Sequence, residues 1–247
     1  MPFFDTSDIM KNMQNKKRMI IYISIISAAL ALLITAVILI VSHAGKKEPK
    51  KEPRIINISI DAPDDIPLEE KELIIYESLI KTGYSPAGAC GIMGNIAVES
   101  PDFDPCAENA SGTTLGLFQW NDVGERRQHL KDFCKENKMN WNSIEAQLAF
   151  AVYELSGADP IACRLDDFLK ETDNAYAAAA EFAAGFERCI SETGKAADVY
   201  TGSLYPEFYG QHYQGLSKRI NKAMNYHIRF VETDPSDDGP EINITIE

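Results

Sequence analysis

The chain has 247 residues, enough for one good-sized domain plus appendages. Its 45% hydrophobic and 25% charged content is ordinary for a globular protein. A net charge of -13 excludes the basic footprint that nucleic-acid binding wants.

The charge is uneven. Residues 1–54 hold nine Lys/Arg and four Asp/Glu, whereas residues 55–247 hold fifteen Lys/Arg and thirty-three Asp/Glu, a net -18. Residues 1–18 are polar and end in Lys16-Lys17-Arg18. Met19 to Val41 then runs without a charge, long enough to span a hydrocarbon core of ~30 Å as a helix. A cleaved signal peptide competes, since Ser42-His43-Ala44 is a passable cleavage site. The length of the apolar run and of the segment before it favours an uncleaved anchor. Basic residues flank both ends almost equally, so the positive-inside count gives no orientation.

Residues 42–67 read as an extended tether. Lys-Glu-Pro occurs twice and prolines recur. Ile55 to Ile60 alternates weakly, which fits a short strand, but the segment is taken as linker. The globular domain is expected over 68–231. Helices are predicted at Leu68–Lys81, from Ser85-Pro86 to about Ser100, and at Glu125–Asn137, Ser143–Ser156, Leu165–Lys170, Asp173–Arg188 and Tyr213 to about Phe230. Glycine, proline, asparagine and serine cluster from Pro101 to Gly124, which predicts loop with a small hairpin. Residues 232–247 hold six acids and no base, so a disordered tail is expected.

None of the five cysteines sits in a CxxC pair, which argues against zinc or thioredoxin-like chemistry. Two readings stay open for them: one or two disulfides outside the cytoplasm, or small buried apolar residues. His129 and His212 lack a partner pattern for a metal or a triad. No metal and no cofactor is expected.

The stretch Cys90–Trp120 carries the candidate chemistry. Glu99 falls in the last turn of its predicted helix, where the negative helix end disfavours a carboxylate. Partial burial would do the same, and a proton-bearing carboxyl is what a general acid near neutral pH needs. Such a group can protonate a glycosidic oxygen and let the bond break through an oxocarbenium-like state. On position alone a surface glutamate explains it better. Asn95 lies one turn back on the same side. Gly116 lets backbone approach a saccharide closely. Gln119 offers donors and an acceptor to sugar groups, or holds the Glu99 loop. Trp120 could stack on a sugar ring, though core packing is favoured. Asp104, Asp122 and Asp102, in that order, are candidates for a second carboxylate, with turn chemistry the better explanation of each. The late aromatics Tyr176, Tyr205, Phe208, Tyr209 and Tyr213 fit either a groove rim or packing.

Gly94-Asn95-Ile96, Glu99-Ser100 and Phe103-Asp104-Pro105 together resemble the signature of the phage tail lysozyme family. That family is a branch of the goose-type lysozyme and soluble lytic transglycosylase superfamily. Gly116-Leu117-Phe118-Gln119-Trp120 is similar to its second motif. Arg126 with Leu130 and Phe133, Gln147-Leu148 with Phe150 and Glu154-Leu155, and Phe186-Glu187-Arg188 resemble later blocks, with Cys189 where a proline is often seen. Ordered blocks at sensible spacing are more specific than any one block. The likeness spans roughly Leu73 to Tyr226.

The resemblance implies a mainly α, α+β lysozyme-like fold with a small β element at the cleft. It implies cleavage of the N-acetylmuramic acid–N-acetylglucosamine bond of peptidoglycan. Glu99 would be the acid/base, and Asn95, Asp104, Gly116, Gln119 and Trp120 would line the substrate. Hydrolysis and lytic transglycosylation both remain open, as does a non-catalytic wall-binding module on the same fold. Peptidoglycan as partner puts the domain outside the cell membrane, behind a single-pass anchor. There it could open gaps for a secretion or conjugation apparatus, or remodel wall.

Overall fold

The computed structural model describes residues 52–61, 66–233 and 243–246. The predicted spanning segment, 19–41, and the predicted cytoplasmic segment, 1–18, lie outside them. Among the described residues, no helix is long and apolar enough to cross a membrane. All described residues belong to one compact unit, 51–247, mainly helical with three small antiparallel sheets.

The first helix, α1 (Leu68–Lys81), ends at Gly83, whose φ of 99° suits a residue without Cβ. Ser85 then caps α2 (Pro86–Glu99): its hydroxyl accepts from the Gly88 amide at 2.9 Å, with proline at the first helical position. Every residue of α2 from Ala87 to Ala97 is buried, so α2 is the central helix rather than a one-sided one. A hairpin of β2 (Thr114–Leu115) and β3 (Trp120–Asn121) follows the turn. Then come α3 (Arg126–Glu136), α4 (Ile144–Tyr153), α5 (Leu165–Glu171) and α6 (Ala175–Phe182). Strands β4 (Ile190–Ser191) and β5 (His212–Tyr213) pair before α7 (Leu216–His227). Tyr213, expected to open the last helix, is instead in β5.

Helices α6 and α7 both pack on α2, and small residues decide how closely. A Cβ on Gly91 would lie 2.3 Å from the Ala178 Cβ. One on Gly94 would lie 2.5 Å from the Arg219 carbonyl oxygen. Real Cβ atoms do not approach so near, so both positions need glycine. The contact at Gly94 brings Arg219 of α7 alongside the last turn of α2.

Helices α4, α6 and α7 each end in a wider, π-type turn. The amides of Asp159, Arg188 and Thr233 reach back five residues, to Glu154, Ala183 and Ile228, at 3.2, 2.9 and 3.0 Å. These turns carry Glu154 and Glu187.

The two ends of the domain differ from expectation. Ile58–Asp61, taken as tether, forms β1, and Asn243–Ile246, taken as disordered tail, forms β6. They pair antiparallel, Ile58 opposite Ile246. Ile56, Ile58 and Ile244 bury their side chains on the domain, which gives these polar segments an apolar face to fold for. Arg54 adds an ion pair to Asp166 at 2.9 Å, and its amide donates to the Ser156 hydroxyl at 2.7 Å. The packed domain therefore begins near Arg54, not at Leu68.

Gly94→Val is expected to push α7 off α2, at a cost of about 1–3 kcal/mol from overpacking. Urea denaturation measures this. A variant as stable and as active as the parent would show that the close approach is not required.

Candidate active site

Glu99 ends α2, and its side chain is 19% exposed. The turn beyond is fixed locally: the Ser100 hydroxyl accepts from the Asp104 amide at 2.9 Å and donates to the Asp104 carbonyl at 3.2 Å. Phe103 takes a left-handed φ of 49° and is fully buried against Tyr226. That sharp turn ends the helix and leaves Glu99 at the edge of an open cleft of about 720 Å³. Gln119, Arg126, Glu187 and Arg219 line the same cleft.

Glu99 has a cation that the sequence did not announce. Arg219 of α7 donates from Nη2 to Glu99 Oε1 at 2.5 Å and from Nη1 to Asn95 Oδ1 at 3.2 Å. Only 2% of Arg219 is exposed. Burial works against its charge, but Cys189, Glu99 and Glu187 around it more than offset that and hold its pKa above the usual arginine value. A buried guanidinium thus meets Glu99 at the negative end of α2.

A second polar cluster adjoins the first. Arg126 grips Glu154 with two bonds, Nε to Oε1 and Nη2 to Oε2, each 2.8 Å. Trp120 Nε1 donates to the same carboxylate at 2.8 Å. Arg126 Nη1 donates to the Phe186 carbonyl at 3.0 Å, so the end of α6 is tied in as well. Arg188, with φ of 54°, closes the α6 turn and pairs with Asp159 at 2.6 Å.

Between these clusters sits Glu187, whose Oε1 is enclosed and takes no hydrogen bond. Burial pushes its carboxyl well above the usual carboxylate range. The charge of Glu99 pushes the same way, while Arg219 and Arg126 act against it. Glu187 was quoted in a motif block but given no role. Arg219 was given none either, although it falls on the buried stripe of α7 with Leu216, Ile220 and Ala223. A charge on an apolar face is a signal that a buried partner awaits it.

The other expected site residues divide. Gln119 does line the cleft, but its polar atoms face the protein: Nε2 donates to Gly116 and Ala107 carbonyls at 2.9 and 3.1 Å, and Oε1 accepts from Thr114. Of the two roles weighed, the geometry gives the loop-holding one. Asn95 is fully buried and donates to the Gly91 and Ala179 carbonyls, so it supports Arg219 rather than substrate. Gly116, with φ of 75°, makes room for Gln147, whose Oε1 would lie 2.3 Å from a Cβ there. Trp120 is 1% exposed and packs in the core, tilted against Phe118 and edge-on to Phe150. Asp104 accepts from the Cys106 amide at 2.8 Å, a turn contact. Asn95, Asp104, Gly116 and Trp120 do not line the cleft that holds Glu99. Tyr205 and Tyr213 are buried and Tyr209 is exposed.

Cys90, Cys106, Cys134 and Cys189 are free thiols. Burial pushes the Cys90 thiol up to about 12 and the Cys134 thiol up to about 11, which keeps both as small neutral core residues. Among the described residues, no group of three His, Cys, Asp or Glu is arranged to hold a metal ion.

The enclosed carboxyl of Glu187 has a consequence for stability. It binds its proton more tightly folded than unfolded. As pH rises, the unfolded chain releases that proton first, and stability falls until pH passes the raised folded value. Glu187→Gln is therefore expected to match the parent at about pH 4 and to exceed it by a margin that grows as pH rises above the usual carboxylate range. Thermal melts at a series of pH values test this, and a margin independent of pH would refute it.

Comparison with curated proteins finds no match. One family's sequence model, described as phage tail lysozyme, matches residues 70–227. That stretch takes in α2 with Glu99, the hairpin, the Arg126–Glu154 pair, Glu187 and Arg219. It covers well over half of the chain, and the chain belongs to the phage tail lysozyme family.

Proposed function

We propose that this protein is a glycosidase that cleaves the N-acetylmuramic acid–N-acetylglucosamine bond of peptidoglycan. A lysozyme-like, peptidoglycan-degrading role follows from the family. The finer reading rests on one observation: Glu99 ends the central helix at the edge of a cleft open enough for a glycan strand. Its carboxyl acts on the glycosidic oxygen or on the group that replaces it. The cleft's other charged side chains include three arginines, two lysines, Glu187 and Asp198, and that chemistry needs no cofactor. Water as the incoming group makes the enzyme a muramidase. The sugar's own 6-hydroxyl makes it a lytic transglycosylase.

The uncharged run Met19–Val41 supports a membrane anchor, and the substrate supports an extracytoplasmic domain behind it. Held at the membrane, the enzyme would work on nearby wall, for remodelling or for a secretion or conjugation apparatus that must pass through it.

Clearing of purified peptidoglycan in a gel by the parent, and its loss by at least about 100-fold in Glu99→Gln, is the expected result. Equal clearing by both would remove Glu99 from the chemistry. No clearing by the parent would leave a wall-binding module. Mass spectrometry of the released muropeptides separates the two reactions, because reducing and anhydro ends differ by one water.

A further inference from the structure

The cleft is cationic in a domain that is strongly acidic. Residues 55–247 carry a net -18, yet five cations line the cleft against three carboxyls, Glu99, Glu187 and Asp198. Arg126, Arg188 and Arg219 each hold a carboxylate of the protein, on Glu154, Asp159 and Glu99 respectively. Lys195 acts on Asp198. Lys218 is the cation left over: it is exposed and, among the described residues, in no ion pair.

Lys218 also lines a second groove, of about 370 Å³, which shares Lys218 and Val98 with the cleft. The end of α2 and the turn after it give this groove Ala97, Val98 and Pro101. The exposed face of α7 gives it Lys218, Asn221, Lys222 and Asn225, at the i, i+3, i+4 and i+7 spacing of one helix face. No acid lines the groove, and Lys222 too is in no ion pair among the described residues. One side is therefore apolar, and the other carries two ammoniums and two amides. A short peptide with free carboxylates uses all of these. The amides bond its backbone, the apolar side takes small side chains, and the ammoniums take the carboxylates. A phosphate polymer would use the ammoniums alone.

We propose that this groove receives the peptide stem of peptidoglycan, with Lys218 and Lys222 binding the stem's carboxylates. This rests on the reading of peptidoglycan as the substrate. The stem hangs from the muramic sugar, the sugar whose C1 bond is cleaved, so it leaves the glycan close to Glu99. The groove opens from the cleft at that place, since Val98 immediately precedes Glu99 in α2. Lys218 and Lys222 lie about 6 Å apart along α7, within the roughly 13 Å that an extended stem of about four residues spans. A stem held there also sets the register of the strand. Only the muramic sugar carries one, so the bond brought to Glu99 is the bond that follows the muramic sugar and not the next one along.

The test titrates the full-length protein, by calorimetry, with the disaccharide N-acetylglucosaminyl-N-acetylmuramic acid carrying a tetrapeptide stem, a ligand that lacks the bond to be cleaved. The parent should bind it about 3–10-fold more tightly than the same ligand with its stem carboxyls converted to amides. Added salt should shrink that ratio. The double variant Lys218→Gln/Lys222→Gln should keep the parent's melting temperature, because both side chains are exposed, while its ratio falls to about one. Equal binding of the two ligands by the parent, or a ratio that survives in the double variant, would overturn the assignment. So would a glycerol-phosphate oligomer of equal charge that binds more tightly than the stem ligand, which would give the groove to a phosphate polymer of the wall. If the parent releases muropeptides but shows no such ratio, the stem site fails and the glycosidase reading stands. If the ratio is found and no muropeptide is released, the stem site stands and the glycosidase reading fails.

Discussion

Two buried guanidiniums hold the cleft together, because three helices end there with a glutamate apiece. Glu99 is the last residue of α2, Glu154 follows α4, and Glu187 closes the turn after α6. A helix C-terminus already carries partial negative charge, so each acid sits where an anion is least welcome. Arg219 meets Glu99 and the Asn95 amide oxygen, and Arg126 meets Glu154 and the free carbonyl of Phe186. Each guanidinium thus binds a carboxylate and a further oxygen acceptor at once. Removing either would leave buried charge uncompensated, a loss commonly about 3–5 kcal/mol. The arrangement is costly for stability, because each of these carboxylates needs a buried cation of its own.

That arrangement depends on backbone spacing before it depends on side chains. Arg219 reaches Glu99 because α7 crosses α2 at Gly94, where the Arg219 carbonyl occupies the place of a Cβ. Ala178 comes equally close to Gly91, and Leu169 to Gly88, whose Cβ would lie 2.0 Å from the Leu169 carbonyl oxygen. The three glycines fall at i, i+3 and i+6, so they drift around α2 and admit a different neighbour each time. A helix of larger apolar residues would bury as much area but hold its neighbours farther off.

Much of this fold is readable in the sequence. Ser85-Pro86 marks the start of α2, Pro101 its end, and the stripe Ile144, Leu148, Ala151 and Val152 marks α4. What escapes reading depends on partners distant in the chain. Strands β1 and β6 lie more than 180 residues apart, and each alone looks like solvated linker or acidic tail. The pairing of Ile190 with Tyr213 escapes for the same reason, since two-residue strands have no periodicity to detect. In the site, Glu99 is legible from its neighbours. Glu187 and Arg219 are not, because their meaning comes from facing Glu99 across 88 and 120 residues of chain. Only Arg219 leaves a trace, as a charge on the apolar stripe of α7.

The residues nearest Glu99 in the sequence therefore do different work from the residues nearest it in space. Asn95 positions Arg219, Gly116 admits Gln147, and Gln147 in turn donates to the Pro105 and Trp141 carbonyls while accepting from the Leu117 amide. Gln119 pins the hairpin, and Trp120 carries the hairpin's strand into the core and touches Glu154. These contacts form a chain from the turn after α2 to the Arg126 pair. A short motif can encode several of them because they are bonds between one side chain and a fixed backbone group nearby. Acid–base chemistry makes a looser demand on sequence: it needs a carboxyl in suitable surroundings, and those surroundings are supplied by helix ends and cations that meet only when the chain is folded.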